Sequence, residues 1–212
     1  MQITRIIAVR HGETAWNVDT RIQGHLDIPL NHRGLWQARQ LADSLAGEPV
    51  SAVYASDLQR ALATARAVAD ATGAPLHTEP GLRERCFGAL EGKTFAEIEQ
   101  EHPEQALRWR RRDPDYAPAG GESLLALRAR VTETVHRLAA QHPGGLVVLV
   151  AHGGPLDVLY RAATGQDLQA PRTWQLANAA INRLLWTPEG LTLVGWADTQ
   201  HLEASSRDET ST

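Results

Sequence analysis

An apolar run at residues 6–9, IIAV, ends in Arg10 and His11, with Gly12 next. A second run, LVVLVA at residues 146–151, ends in His152, with Gly153 and Gly154 behind it. A third, at residues 50–55, leads into SDLQR and carries Arg60 into the first turn of the segment that follows. Two arginines and two histidines with no evident counter-charge make an anion site if the chain gathers them. Phosphate is the natural guest, because guanidinium forks match its oxygens and its double charge. Gly12 and Gly153 would allow close backbone approach to such a ligand and offer N–H groups to its oxygens. Singly, each residue has a plainer use. Arg10 suits a structural ion pair, His11 an ordinary hydrogen-bonded position, and His152 the start of a helix. Their common place at the ends of apolar strands argues for a site.

That convergence depends on the elements. Residues 3–9, 50–55, 74–78 and 145–151 read as strands. The runs at 6–9 and 146–151 are apolar throughout, as suits central strands covered on both faces. Residues 35–47 read as a helix with Leu35, Ala38, Leu41, Ala42 and Leu45 on one face and Gly47 at its C-terminal cap. A second helix spans 57–73, capped by Ser56 or Asp57 and ended by Gly73. Residues 94–119 are polar and proline-punctuated, with two short helices. Residues 122–142 form a long amphipathic helix with a stripe of Leu124, Leu127, Val131, Val135 and Leu138. Pro155 opens a helix over 154–165, and INRLLWT and LTLVGW flank PEG as a hairpin. Alternating strands and helices predict an α/β fold with a mainly parallel sheet. In such sheets ligands bind outside the carboxyl ends of the strands, where the four basic residues stand.

Composition narrows the setting. The 212 residues suit one domain with a substantial core. The net charge of −4 gives no basic field for nucleic acid or an anionic membrane. A single cysteine, Cys86, excludes a disulfide within the chain and suits a reducing compartment. No segment approaches the roughly 18 apolar residues of a membrane span, and the N-terminal apolar run is too short for a signal peptide. A cytoplasmic location is expected.

RHGET followed by Asn17, then SDLQRALATA, LRERCFGALEG and VAHGG, resemble in order the signature set of the histidine phosphatase superfamily, the phosphoglycerate mutase-like group. The resemblance runs from Ile3 to about Trp196. It implies a three-layer α/β/α fold and a nucleophile, His11, that forms a phosphohistidine. Nearby cations would keep its nitrogen unprotonated. Arg10, Arg60 and His152 match the family's phosphate clamp. Glu84 matches the acid that protonates the leaving alkoxide and then activates water; without the resemblance it reads as a surface carboxylate paired with Arg83 or Arg85. Asn17, Gln23 and Gly24 would line the substrate pocket, with Glu13 and Thr14 behind them and His25 and His32 as ordinary loop histidines. The implied partner is a small phosphorylated metabolite. No metal, cofactor, nucleic acid or membrane is expected, and a homodimer is left open. Residues 1–202 are expected to form one domain with a small substrate-facing insertion at about 92–121, and 203–212 a disordered polar tail.

Competing motifs fall short. GALEGKT is one residue short of a P-loop and carries Glu91 where phosphates would lie. Cys86 lacks an arginine six residues on, and no carboxylate–histidine cluster has two-metal spacing. RWRRR at 108–112 reads as a solvated helix end or a rim that draws anionic substrates. Within the family, the short stretch at 92–121, Gly154 after the second histidine motif, and AGGES favour a phosphatase. The arginines of RWRRR resemble a mutase pair, so a cofactor-dependent phosphoglycerate mutase is the alternative. A non-catalytic phosphate binder would be expected to lack the nucleophile or the acid, and both are present. Trp16, Trp109 and Trp174 are expected in the core or along the leaving-group wall.

Overall fold

In the computed structural model, which describes residues 3–203, one six-stranded sheet organises the chain. Its strands are β1 (Thr4–Arg10), β2 (Ala52–Ala55), β3 (Leu76–Thr78), β4 (Leu146–Ala151), β5 (Ile181–Thr187) and β6 (Gly190–Asp198), in the order β3-β2-β4-β1-β5-β6. The first four run parallel; β5 and β6 add an antiparallel edge. The helices are α1 (Ala15–Val18), α2 (His32–Leu45), α3 (Gln59–Thr72), α4 (Phe95–Glu101), α5 (Pro103–Arg110), α6 (Leu124–Ala139), α7 (Gly153–Thr164) and α8 (Gln200–Glu203).

Alternation along the strands builds two cores. Ile6, Ala8, Val147, Leu149 and Ala151 face α6 and α7. Ile7, Val9, Val148 and Val150 face α2 and α3. Each central strand is therefore apolar on both sides, which is why its sequence shows no polar alternation. Burial of each Val, Leu or Ile stabilises by about 1.5–3 kcal/mol. The five residues of the α6 stripe are all buried, and the three-layer architecture is as the resemblance implied.

Some details differ from the sequence expectation. On α2, Leu35 is exposed, and the helix starts at His32 behind the Asn31 cap, whose side chain accepts from Gly34 N. Neither Ser56 nor Asp57 caps α3. Its N-cap residue is Leu58, and the Gln59 N–H is satisfied by Asp27 from a neighbouring loop at 2.7 Å. The two candidates are engaged elsewhere: Ser56 with His152 and Asp57 with Arg83. The segment at 94–119 does hold two short helices, α4 and α5, over a small core of Leu90, Ile98 and Ala106 with Phe87, Phe95 and Trp109. Glu203, expected to begin the tail, closes α8; residues 204–212 lie outside the described residues. Among the described residues, no helix is long and apolar enough to cross a membrane.

Candidate active site

Strand order does the gathering. β4 lies between β1 and β2, and Arg10 pairs in register with Ala151. His11 and His152 therefore leave adjacent strands at the same level. The His11 N–H donates to Ala151 O at 3.0 Å, and the two rings stand 5.1 Å apart between centroids. Both are buried, at 2% and 0% exposure.

Burial sets their protonation. His11 is held well below the ordinary histidine value, first by desolvation and then by the Arg10 and Arg60 charges. His152 is lowered in the same way by burial, then by His11 and the same arginines. Both rings are neutral near pH 7. The His11 Nδ1 sits 2.7 Å from Gly12 O, an acceptor only, so the ring proton is assigned to Nδ1. Nε2 keeps its lone pair, and His11 lines a cleft. Ser56 Oγ accepts from Leu58 N and lies 2.8 Å from His152 Nε2. His152 Nδ1 has no partner among the described residues.

The arginines are fixed by carbonyls rather than carboxylates. Arg60 donates to Leu26 O at 2.7 Å and Gly24 O at 2.9 Å, and Arg10 donates to Leu176 O at 2.6 Å. Each keeps a buried Nε without a partner among the described residues. Native proteins rarely leave such donors unpaired, and their positive charge is not cancelled by direct contact.

Arg10, His11, Asn17, Gln23, Gly24, Arg60 and Glu84 meet around one cleft of about 160 Å³. Thr14 caps α1 and ties two of them together: its hydroxyl lies 3.1 Å from Asn17 Oδ1 and 3.0 Å from Gln23 Oε1. Gly24 takes φ +51, where a Cβ would be strained and would collide with Glu91. Glu91 Oε1 accepts from His25 N and Phe87 N, joining the loop of Gln23 and Gly24 to the loop of Glu84.

Glu84 pairs with neither Arg83 nor Arg85 through their side chains. Arg83 is taken by Asp57, which it holds below the usual carboxylate range, and the Arg85 guanidinium binds Glu122 O and Tyr116 O. The Glu84 carboxylate instead accepts the N–H groups of Arg85 at 2.7 Å and of Gly154, at the start of α7, at 3.0 Å. It borders both the small cleft and a second cavity of about 560 Å³. Gly153, Trp109 and Trp174 line that second cavity, as do Arg85, Arg112 and Arg172.

Two placements depart from expectation. Gly12 lies outside both cavities: its N–H donates to Thr64 Oγ1, and its missing side chain makes room for the Gly34 backbone, 2.5 Å from where a Cβ would be. Arg112 is no solvated rim residue; it donates to Leu168 O and pairs with Asp157 at 2.6 Å. His152 is fully buried against His11, with 5.1 Å between ring centroids. His25, read as an ordinary loop residue, lies 2.8 Å through Nε2 from the Glu84 carbonyl. Unforeseen contributors are Phe87, Asp157, Arg172, Leu176 and Asn178, whose side chain donates to His11 O. Most belong to the segment at 167–180, which carries no periodicity to betray it.

The chain is similar to known proteins over nearly its whole length. A family model described as histidine phosphatase superfamily (branch 1) matches residues 6–199. The chain is 39% identical over 203 residues to phosphoglycerate mutase-like protein 4 of Arabidopsis thaliana, covering 93% of this chain and 86% of that protein. It is 37% identical over 207 residues to the metal-independent phosphoserine phosphatase of the same plant, covering 96% and 85%. Among solved structures, a mycobacterial glucosyl-3-phosphoglycerate phosphatase in complex with VO3 superimposes with a TM-score of 0.81 at 34% identity, covering 92% of this chain and 99% of that one.

Proposed function

The chain belongs to the histidine phosphatase superfamily, and from that premise we propose that it is a phosphatase hydrolysing small phosphomonoesters through a phosphohistidine on His11. One observation carries the reading: a buried, neutral imidazole with its Nδ1 proton committed to Gly12 O lines a cleft beside two arginines that no carboxylate neutralises by contact.

The chemistry divides into two displacements. His11 Nε2 attacks phosphorus, the P–O ester bond breaks, and the departing alkoxide takes a proton from Glu84. The Glu84 carboxylate then accepts a proton from water; the hydroxide attacks phosphorus, the P–N bond breaks, and inorganic phosphate leaves. Arg10 and Arg60 neutralise the charge on the transferred group and hold it in line. Asn17, Gln23 and Gly24 shape the cleft, and Gly153 the adjoining wall. His152, matched to the same phosphate clamp, packs its ring against His11.

The larger cavity takes the leaving alcohol. A volume near 560 Å³ exceeds what a phosphate alone fills, and Arg172 has no partner among the described residues. An alcohol that itself carries a carboxylate fits this lining. The relatives named for phosphoserine and glucosyl-3-phosphoglycerate act on phosphates of that kind. The single cysteine fits a cytoplasmic location.

Phosphate release in EDTA, across a panel of phosphomonoesters with and without a carboxylate, tests the reading. Replacement His11→Ala is expected to abolish release while the melting curve stays cooperative. Normal turnover in that variant would sink the mechanism. The alternative, a cofactor-dependent phosphoglycerate mutase, is favoured by the relative named phosphoglycerate mutase-like. It predicts 2-phosphoglycerate from 3-phosphoglycerate when bisphosphoglycerate is added, with little free phosphate.

A further inference from the structure

We propose that Gly154 is a positioning residue for the Glu84 carboxylate: the space its missing side chain leaves is the seat in which that carboxylate rests. The inference builds on the acid–base reading of Glu84. A Cβ at position 154 would lie 2.1 Å from Glu84 Oε1, while the nearest atom outside Glu84, Leu127 Cδ2, is 3.3 Å away. No backbone demand explains the glycine, since 154 sits inside the first turn of α7 and outside the left-handed region. Alanine is the better helix former there, so glycine weakens α7 unless something else requires it.

The carboxylate requires it. The first N–H groups of a helix have no partner within the helix. The N-cap residue of α7 is His152, whose side chain makes no capping bond because it faces Ser56 and His11. Glu84 supplies the missing acceptor from another loop, taking the Gly154 N–H on both its oxygens, at 3.0 and 3.2 Å. One carboxylate thus caps a helix end and borders both cavities.

A methyl group at 154 would move Glu84 rather than α7. The Glu84 main chain is pinned, its carbonyl 2.8 Å from His25 Nε2 and 3.2 Å from Arg130 Nη2. The colliding oxygen is the free end of a flexible side chain. Displacement would take it off the helix end and away from the boundary where the leaving oxygen and the attacking water must pass.

The test is a double-mutant cycle between Gly154→Ala and Glu84→Ala, with p-nitrophenyl phosphate as substrate, whose leaving group needs no acid, so that the Glu84 variants stay measurable. Gly154→Ala is expected to lower kcat roughly 10–100-fold in the native background, with KM little changed, as for loss of most of the Glu84 contribution as base to the water that cleaves the phosphohistidine, the one Glu84 role this substrate still needs. In the Glu84→Ala background the same change is expected to do almost nothing, because no carboxylate remains to displace. The melting temperatures should couple likewise: Glu84→Ala costs a cap in the native background and costs none once Gly154→Ala has displaced the carboxylate. Equal kinetic factors in both backgrounds would overturn the inference and leave the role of Glu84 intact. Full turnover of alkyl phosphates by Glu84→Gln would overturn both. Should Gly154→Ala fail to fold, the double variant must fold, since the collision is gone; its failure would also refute the proposal.

Discussion

At the residue scale the site is governed by what is left unpaired. Arg60 is 1% exposed, and its guanidinium bonds only to carbonyls, so its charge remains available. Burying such a charge is costly unless an anion joins it. The same desolvation that keeps His11 and His152 neutral has a cost at low pH. Both have folded values well below the 6.5 of an unfolded histidine. Below pH 6.5 the unfolded chain binds protons that the folded chain refuses, so stability rises with pH up to about 6.5 and then levels. Each histidine adds a slope of up to about 1.4 kcal/mol per pH unit in that window. Urea titrations without phosphate, at pH 5.0 to 7.5, should therefore show a shallower dependence for His152→Asn than for the native chain. Parallel curves would show that His152 takes up its proton in the fold.

At the element scale the segment that holds α4 and α5 is fastened to α7. Arg112, with φ +51 just beyond α5, reaches back to α7. There a single oxygen of Asp157 receives both Arg112 Nη2 at 2.6 Å and Arg161 Nε at 2.9 Å. This clasp closes one side of the larger cavity. Removing its carboxylate strands one fully buried and one partly buried guanidinium. Asp157→Ala should thus destabilise the protein by about 3–5 kcal/mol in urea denaturation. Asp157→Asn, which keeps the acceptor oxygen, should lose less. A change below about 1 kcal/mol for the alanine variant would mean that the clasp does not hold this segment.

For the whole molecule, net charge and local charge have opposite sign. The chain carries −4 overall, yet Arg10, Arg85, Arg112 and Arg172 line the larger cavity. Asp157 offsets Arg112 by direct contact, while Arg172 reaches far enough to depress Arg10. With Glu84 and Asp157 as its acidic residues the lining keeps an excess of positive charge, and such a cleft would draw an anionic phosphate by its local field, which salt screens within about 10 Å at 0.1 M. KM for a doubly charged phosphomonoester should rise several-fold from low salt to about 0.5 M, with kcat nearly constant. Arg172→Ala should flatten that rise. A KM independent of salt in the native chain would rule out steering by these arginines.

Much of this was legible in the residues. Two continuous apolar runs ending in Arg10-His11 and His152 could only be buried strands with basic tips, because periodicity and strand ends are local properties. The α6 stripe and the two short helices at 94–119 were readable for the same reason. The acid–base role proposed for Glu84 came through resemblance, since nothing in the neighbouring sequence distinguishes it from a surface carboxylate. Tertiary structure alone decided that β4 separates β1 from β2, which brings three strand ends together. It also decided that Gly12 yields to Gly34, that Arg112 is a clasp, that residues 167–180 wall the cavity, and that Glu84 caps α7 over Gly154. Each of these is a contact between segments far apart in the chain. No spacing encodes such a contact; it exists only once burial of the two sheet faces has set which segments are neighbours.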